Sequence, residues 1–541
     1  VTLFAAAEPG GHGSAGGVIE VVLLLLLAAT ALAIVARRVG IPYPILLVLG
    51  GLAIGFVPGL PRVELDPDLV FLLFLPPILF AAGYFTSIRD FKANLRPIAL
   101  LAVGLVLFTT VVVAVVARAL VPDLPWAAAF ALGAIVAPPD AVAATSIFQR
   151  LGVPRRIVTI LEGESLVNDA TALVAYRFAV AAVLTGAFSL AEAGLTLLVV
   201  GAGGVLLGLA GGWLARIATS RVDDPVFSTV ISFLAPAGIY VPAEMLGLSG
   251  VLAAVTGGIV LGRAAPRALS SEVRVASASA WAVLLFLING AVFVLIGLQL
   301  PTVLEGIGDR SAAELLWLAV AISITAIVAR IAWVFPATYL PRWAAAKLRE
   351  RDPYPSPRHV FLVSWAGMRG VVSLAAALAL PLSLPSGEPF PERHLLIFLT
   401  FAVILATLVG QGLTLPLVIR ALGIAADGGQ GHEEATARRY LAEAAVERID
   451  RLESQWPGHR ELVDRLRADY LHRTEHLDPA PEEAPRDAAE RERLEHREIR
   501  RAVADAEREV LLRLHDTGAV SDEVFRRIER ELDLEELRME D

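Results

Sequence analysis

Apolar stretches of about twenty residues recur along this chain, and that recurrence limits its fold more than any other feature. A stretch of that length with few charges spans the hydrocarbon of a bilayer as a helix. In lipid, only helices and closed barrels satisfy every backbone polar group. Thirteen such segments are predicted, at approximately residues 18–36, 43–57, 67–85, 97–120, 125–149, 157–185, 191–215, 225–246, 248–262, 275–300, 312–339, 358–380 and 394–420. The composition agrees: 56% of the residues are hydrophobic and the mean hydropathy is +0.65, well outside the range of a soluble protein. There are no cysteines, which excludes disulfides, thiol catalysis and thiolate metal sites. Residues 1–17 lack the basic flank of a secretory signal, so an extracellular segment leading into a mature first helix is expected.

Charge divides the chain into parts suited to different solvents. From Ala421 to Asp541 there are 20 Arg, no Lys and 32 Asp plus Glu, whereas the whole chain carries only −9. Residues 18–422 are expected to form the membrane body and residues 423–541 an acidic, water-facing domain. That tail has helical periodicity over Ala435–Trp456 and Asp487–His515, with Pro479, Pro481 and Pro485 between them. It suits regulation, assembly or a simple solvated appendage, and it has no Gly-rich nucleotide-binding turn. Taken alternately, one set of loops holds 18 Lys and Arg; the other holds Arg62, Arg310 and Arg393, with Arg118 at its edge. The positive-inside rule places the rich set in the cytoplasm, which puts the amino terminus outside and the acidic tail inside. Gly204, Gly208 and Gly212 form a small-residue stripe, suited to helix packing within the chain or to a dimer seam.

Ionisable residues inside apolar spans cost at least ~2.5 kcal/mol each on insertion scales, and so mark candidate functional sites. Pro138 and Pro139 remove two backbone donors in the middle of the fifth segment and must break its helix. Broken helices at membrane depth occur inside protein or beside water-filled cavities, where their ends bind ions. Asp140 opens the second half-helix, as a cap, an ion ligand or both. In the sixth segment, Glu162-Gly-Glu-Ser-Leu-Val-Asn-Asp169 puts Ser165 and Asp169 on one helical face, with Glu164 and Asn168 on the next. In the twelfth, Arg369 lies among glycines and stays charged, so it is expected to need a carboxylate, first Glu164 and then Glu162. Arg330 and Arg177 are expected to snorkel toward the two membrane faces.

Together these residues carry a resemblance. Gly133-Ala-Ile-Val-Ala-Pro-Pro-Asp-Ala-Val-Ala143, Glu162 to Asp169 and Trp365-Ala-Gly-Met-Arg-Gly370 resemble the monovalent cation/proton antiporters. The similarity is to the branch with an Asn-Asp pair, the bacterial and eukaryotic sodium/proton exchangers. Phe74-Leu-Pro-Pro-Ile-Leu-Phe-Ala-Ala-Gly-Tyr84 and Val409-Gly-Gln-Gly-Leu-Thr-Leu-Pro416 resemble the same family. The resemblance implies an all-α membrane fold of about 13 helices in two inverted repeats, with a transporting core and dimerisation helices. It also implies a homodimer and elevator-like alternating access in the cell membrane, without a cofactor. Asp169 would bind cation or proton in turn, supported by Asn168, Asp140 and Ser165, with Arg369 paired to Glu164. This chain departs from many relatives at Pro139, where they have Thr, and at Ala81, where they have an acid. Both departures bear on the choice of cation.

The mechanism follows from competition. Sodium and lithium are hard ions that take oxygen ligands, and Asp169, Asp140, Ser165, Asn168 and freed carbonyls offer them. A carboxylate in an apolar setting is costly as a bare anion, so a proton and a cation compete to neutralise it. One monovalent cation would then exchange for one proton without net charge movement. Potassium is the rival substrate within this class. A channel and an intramembrane aspartyl protease are the rivals outside it. The protease would use Asp140 and Asp169 as its dyad, but the chain lacks that family's Gly-x-Gly-Asp element. Nucleic-acid binding is not expected.

Overall fold

Repeated apolar segments without strand-like alternation fold as helices, and in the computed structural model every one of the thirteen segments is helical. The structure describes residues 15–58, 67–186, 190–222, 224–307, 310–424, 429–455 and 459–475, with a few isolated positions beyond 505. The helices are α1 (Ala15–Val39), α2 (Tyr43–Gly55) and α3 (Val70–Phe85). Next come α4 (Leu95–Leu120), α5 (Trp126–Val136), α6 (Ala141–Leu151), α7 (Arg155–Thr185) and α8 (Leu190–Ser220). They are followed by α9 (Pro225–Met245), α10 (Gly250–Ala268), α11 (Ser271–Leu298) and α12 (Ala312–Ala344). The membrane body ends with α13 (Pro357–Trp365), α14 (Val371–Leu378) and α15 (Arg393–Ala421). Among the described residues, eight helical stretches are long and apolar enough to cross a membrane.

Local chemistry sets where these helices start, widen and stop. Asp224, Ser249, Ser270 and Ser311 each accept a hydrogen bond from a first-turn N–H of the helix that follows, supplying acceptors to orphan donors. Pro76 and Pro77 lack donors, and the turn before them, Val70–Phe74, opens to π geometry. The fifth segment breaks between α5 and α6, at the two prolines. The twelfth breaks too, between Trp365 and Val371, although the sequence reading treats it as one apolar run. There the interruption is made by Gly367 and Gly370, with no proline.

The glycine stripe of α8 lies against α10: a side chain added at Gly204, Gly208 or Gly212 would meet the backbone of Ser249, Ala253 or Gly257. Of the two uses foreseen for it, packing within the chain is the one observed. Large apolar side chains on α8 and α12, such as Leu198 at 70% exposure and Trp317 at 62%, are left mostly uncovered by the described residues; lipid is the solvent that suits them. At one end of the bundle, Asp352 ties three helices together. It accepts from Arg156 of α7 at 2.7 Å and Arg342 of α12 at 2.5 Å, with Arg96 of α4 at 3.9 Å.

The described residues fall into two compact units divided after Ala426. In the second, α16 (Gly429–Gln455) and α17 (Arg460–Glu475) are helical. The helix expected over Asp487–His515 lies mostly outside the described residues, as does most of the segment 1–17.

Candidate functional site

A broken helix exposes backbone groups that must find partners, and here the two breaks supply partners to each other. The Asp140 N–H donates to the Met368 carbonyl at 2.6 Å. Asp140 caps α6, its Oδ1 accepting from the Val142 N–H at 2.9 Å. Its other carboxylate oxygen lies against Gly370, the residue that opens α14, so closely that any side chain there would collide with it. One carboxylate therefore sits at the amino-terminal, positive ends of two half-helices. The carbonyl of Pro139 accepts from Asn168 Nδ2 at 2.7 Å, which fixes α7 to the break. Asn168 is fully buried, and among the described residues its Oδ1 has no partner.

The opposite, carboxyl-terminal ends of α5 and α13 are negative and receive guanidinium groups. Arg369 donates to the carbonyls of Val136 at 3.1 Å, Gly367 at 2.5 Å and Ala326 at 3.3 Å, and its own N–H donates to Thr407 Oγ1 at 3.1 Å. Arg330 donates to the Val363 carbonyl at 3.1 and 3.3 Å, and bidentately to Glu164 at 2.6 and 2.8 Å.

These contacts correct two expectations. Glu164 pairs with Arg330, not with Arg369, and Arg369 needs no carboxylate because the carbonyl end of a half-helix neutralises it in part. Nor does Arg330 snorkel: its side chain is 1% exposed. Arg177 does reach a surface, where it is 51% exposed and pairs with Glu244 at 2.7 Å.

Beside the breaks lies a cavity of about 400 Å³. Pro138, Pro139, Asp140, Ser165 and Asp169 all border it. Asp169 is 8% exposed, and among the described residues its carboxylate has no hydrogen bond or ion pair to protein. Asn168 stands behind the wall, turned to Pro139. Ala81 contributes a methyl group where a carboxylate was noted as missing. Asn289, Thr145 and Ser373 also line the cavity, and sequence reasoning passed over them. Asn289 had a signal, an amide in the apolar run of α11; Ser373 and Thr145 had none beyond lying close to a break. The arrangement offers carboxylate, hydroxyl and amide oxygens facing a cavity wide enough for water, suited to a hard monovalent cation or a proton.

The family described as Sodium/hydrogen exchanger, transmembrane, matches the chain over residues 22–421. An uncharacterized Na(+)/H(+) exchanger of Mycobacterium tuberculosis is 35% identical over 513 residues, covering 94% of each chain. A sodium, potassium, lithium and rubidium/H(+) antiporter of Bacillus pumilus is 38% identical over 389 residues, covering 70% of this chain and 58% of its own. Among solved structures, the sodium proton antiporter MjNhaP1 of Methanocaldococcus jannaschii has the same fold. Its TM-score is 0.60 at 20% identity, over 75% of this chain and 98% of that one.

Proposed function

The chain belongs to the sodium/hydrogen exchanger family, and from that premise we propose that Asp169 is the single carboxylate through which it exchanges sodium for protons. It is a multi-pass membrane transporter, not an enzyme, and the protease alternative falls with that assignment. The observation that carries the Asp169 reading is a contrast. Glu164, Arg330, Arg369 and Asp140 are each matched by protein groups, whereas Asp169, among the described residues, faces the cavity with none. A buried anion left unmatched needs a mobile ion to neutralise it, and a proton and a sodium ion serve equally well in charge.

Asp140 holds the negative charge that the two helix ends favour, and its carboxylate, which borders the cavity, is a further ligand for a cation at Asp169. Ser165, one helical turn from Asp169, adds a hydroxyl. Asn168 keeps the break in place as a neutral group, so it adds no second charge to be moved. The helix amino termini offset Asp140, backbone carbonyls hold Arg369, and Arg330 offsets Glu164. Asp169 alone then changes its ionic partner, and one cation exchanges for one proton without net charge movement. The two half-helix pairs form the moving core of a homodimer, with the basic loops and the acidic domain cytoplasmic, as the loop charges indicate.

Potassium as a further substrate has a specific observation in its favour. The related antiporter of Bacillus pumilus is named for sodium, potassium, lithium and rubidium. A site with a methyl at Ala81 has one charged ligand fewer to favour the smaller ion.

The test is cation-driven proton release from acid-loaded proteoliposomes, comparing sodium, lithium and potassium. Asp169→Asn is expected to abolish exchange while the protein still folds. Exchange at the normal rate by that variant would sink the assignment, and a rate that follows an imposed membrane potential would sink the one-for-one stoichiometry.

A further inference from the structure

The cavity holds a third carboxylate that the exchange reading does not use. Glu162 borders it together with Ser165 and Asp169. The three are spaced three and four residues apart on α7, so they lie along one face of the helix. At the helical rise, Glu162 lies about 10 Å from Asp169 along the axis, toward the Arg155 end. It is only half-buried. Among the described residues it makes no hydrogen bond or ion pair.

Its surroundings place it at the mouth. The cavity is bordered at one end by Phe85 and Thr86, where α3 stops, and Phe85 is 55% exposed. Gly163, next to Glu162, packs against Phe91 of the short helix Ile88–Ala93 that follows Thr86 and against Ile98 in the first turn of α4. Asp169 lies deeper, level with the helix breaks.

We propose that Glu162 is an outer station for monovalent cations on the way to Asp169, a residue that recruits the cation and sets its apparent affinity. The proposal rests on the Asp169 reading. An unpaired carboxylate in a partly hydrated mouth holds a monovalent cation loosely, raises its local concentration and repels anions. Ser165, between the two acids, offers an oxygen for transfer inward. Because Glu162 is only half-buried, salt weakens its pull, whereas the more deeply buried Asp169 site is less affected.

The experiment measures initial exchange rates in proteoliposomes against sodium concentration, at low ionic strength and with added choline chloride. Glu162→Gln is expected to raise the half-saturating sodium concentration roughly three- to tenfold, with the maximal rate held within about twofold, as befits one charge about 10 Å from the site. Glu162→Asp should stay near the parent. Choline should raise the half-saturating concentration of the parent and leave that of Glu162→Gln nearly unchanged. An unaltered half-saturating concentration in Glu162→Gln overturns the proposal, and so does a fall in maximal rate alone. Should Glu162→Gln fail to fold, the parent protein still decides: half-saturation indifferent to choline overturns the proposal. Asp169→Asn separates the two readings. If it still exchanges, the Asp169 assignment fails. If it is inactive while Glu162→Gln binds sodium as the parent does, only the outer station fails.

Discussion

Glu164 and Arg330 show what a single buried pair contributes in this molecule. Each side chain is 1% exposed and the contact is bidentate, so removing one partner strands a charge in a dry interior. Arg330→Met is expected to destabilise the fold by about 3–5 kcal/mol, read as a lower thermal midpoint in detergent. Glu164→Gln combined with Arg330→Met should recover much of that loss, because no charge is then left unmatched. The pairing itself was only half legible in the sequence. Composition and position show that charges in apolar spans must be satisfied, and they single out Glu164, Arg369 and Arg330. They do not show which groups meet, since the three lie on three different segments. The expectation for Arg369 also counted only carboxylates as partners. The carbonyl end of a half-helix, which receives Arg369 through Val136, is a tertiary feature with no residue type to announce it.

At the scale of whole elements, the two breaks differ in how openly the sequence declares them. Pro138-Pro139 forbids a continuous helix on covalent grounds, so that interruption and Asp140 as a cap could be foreseen. The break between α13 and α14 rests on glycines, which permit an interruption without demanding one. The joint at the ends of α4, α7 and α12 is another element-scale feature, and it carries a dependence on pH. Burial would raise the Asp352 carboxyl, but the hydrogen bonds and charges of Arg156 and Arg342 outweigh it and hold the group below its usual range. A depressed carboxyl stabilises the fold above its unfolded value of about 3.9 and loses that contribution as pH falls through the depressed value. Asp352→Asn is therefore expected to lower stability by roughly 1 kcal/mol near neutrality. The gap from the parent should close as the pH drops below about 4, which thermal unfolding across a pH series would show.

Across the whole molecule, the apolar rhythm was the most legible feature, because lipid leaves a chain so few options. Each of the thirteen expected segments coincides with helix, while the cavity depends on how the helices meet, so its acids, Ser165 and the two prolines were visible beforehand but the enclosure itself was not. The bareness of Asp169 also bears on fidelity. A carrier is useful only if it seldom returns empty, since each vacant stroke dissipates the gradient it draws on. Among the described residues no protein group cancels Asp169, so on the proposed role of Asp169 the vacant carrier is the one form with a naked charge. Its crossing should be slower by a penalty of at least ~2.5 kcal/mol, roughly sixtyfold or more. Vesicles holding the protein with no sodium, lithium or potassium on either side should keep an imposed pH difference almost as long as protein-free vesicles. Rapid collapse of that difference would mean that slippage is restrained by something other than the bare carboxylate.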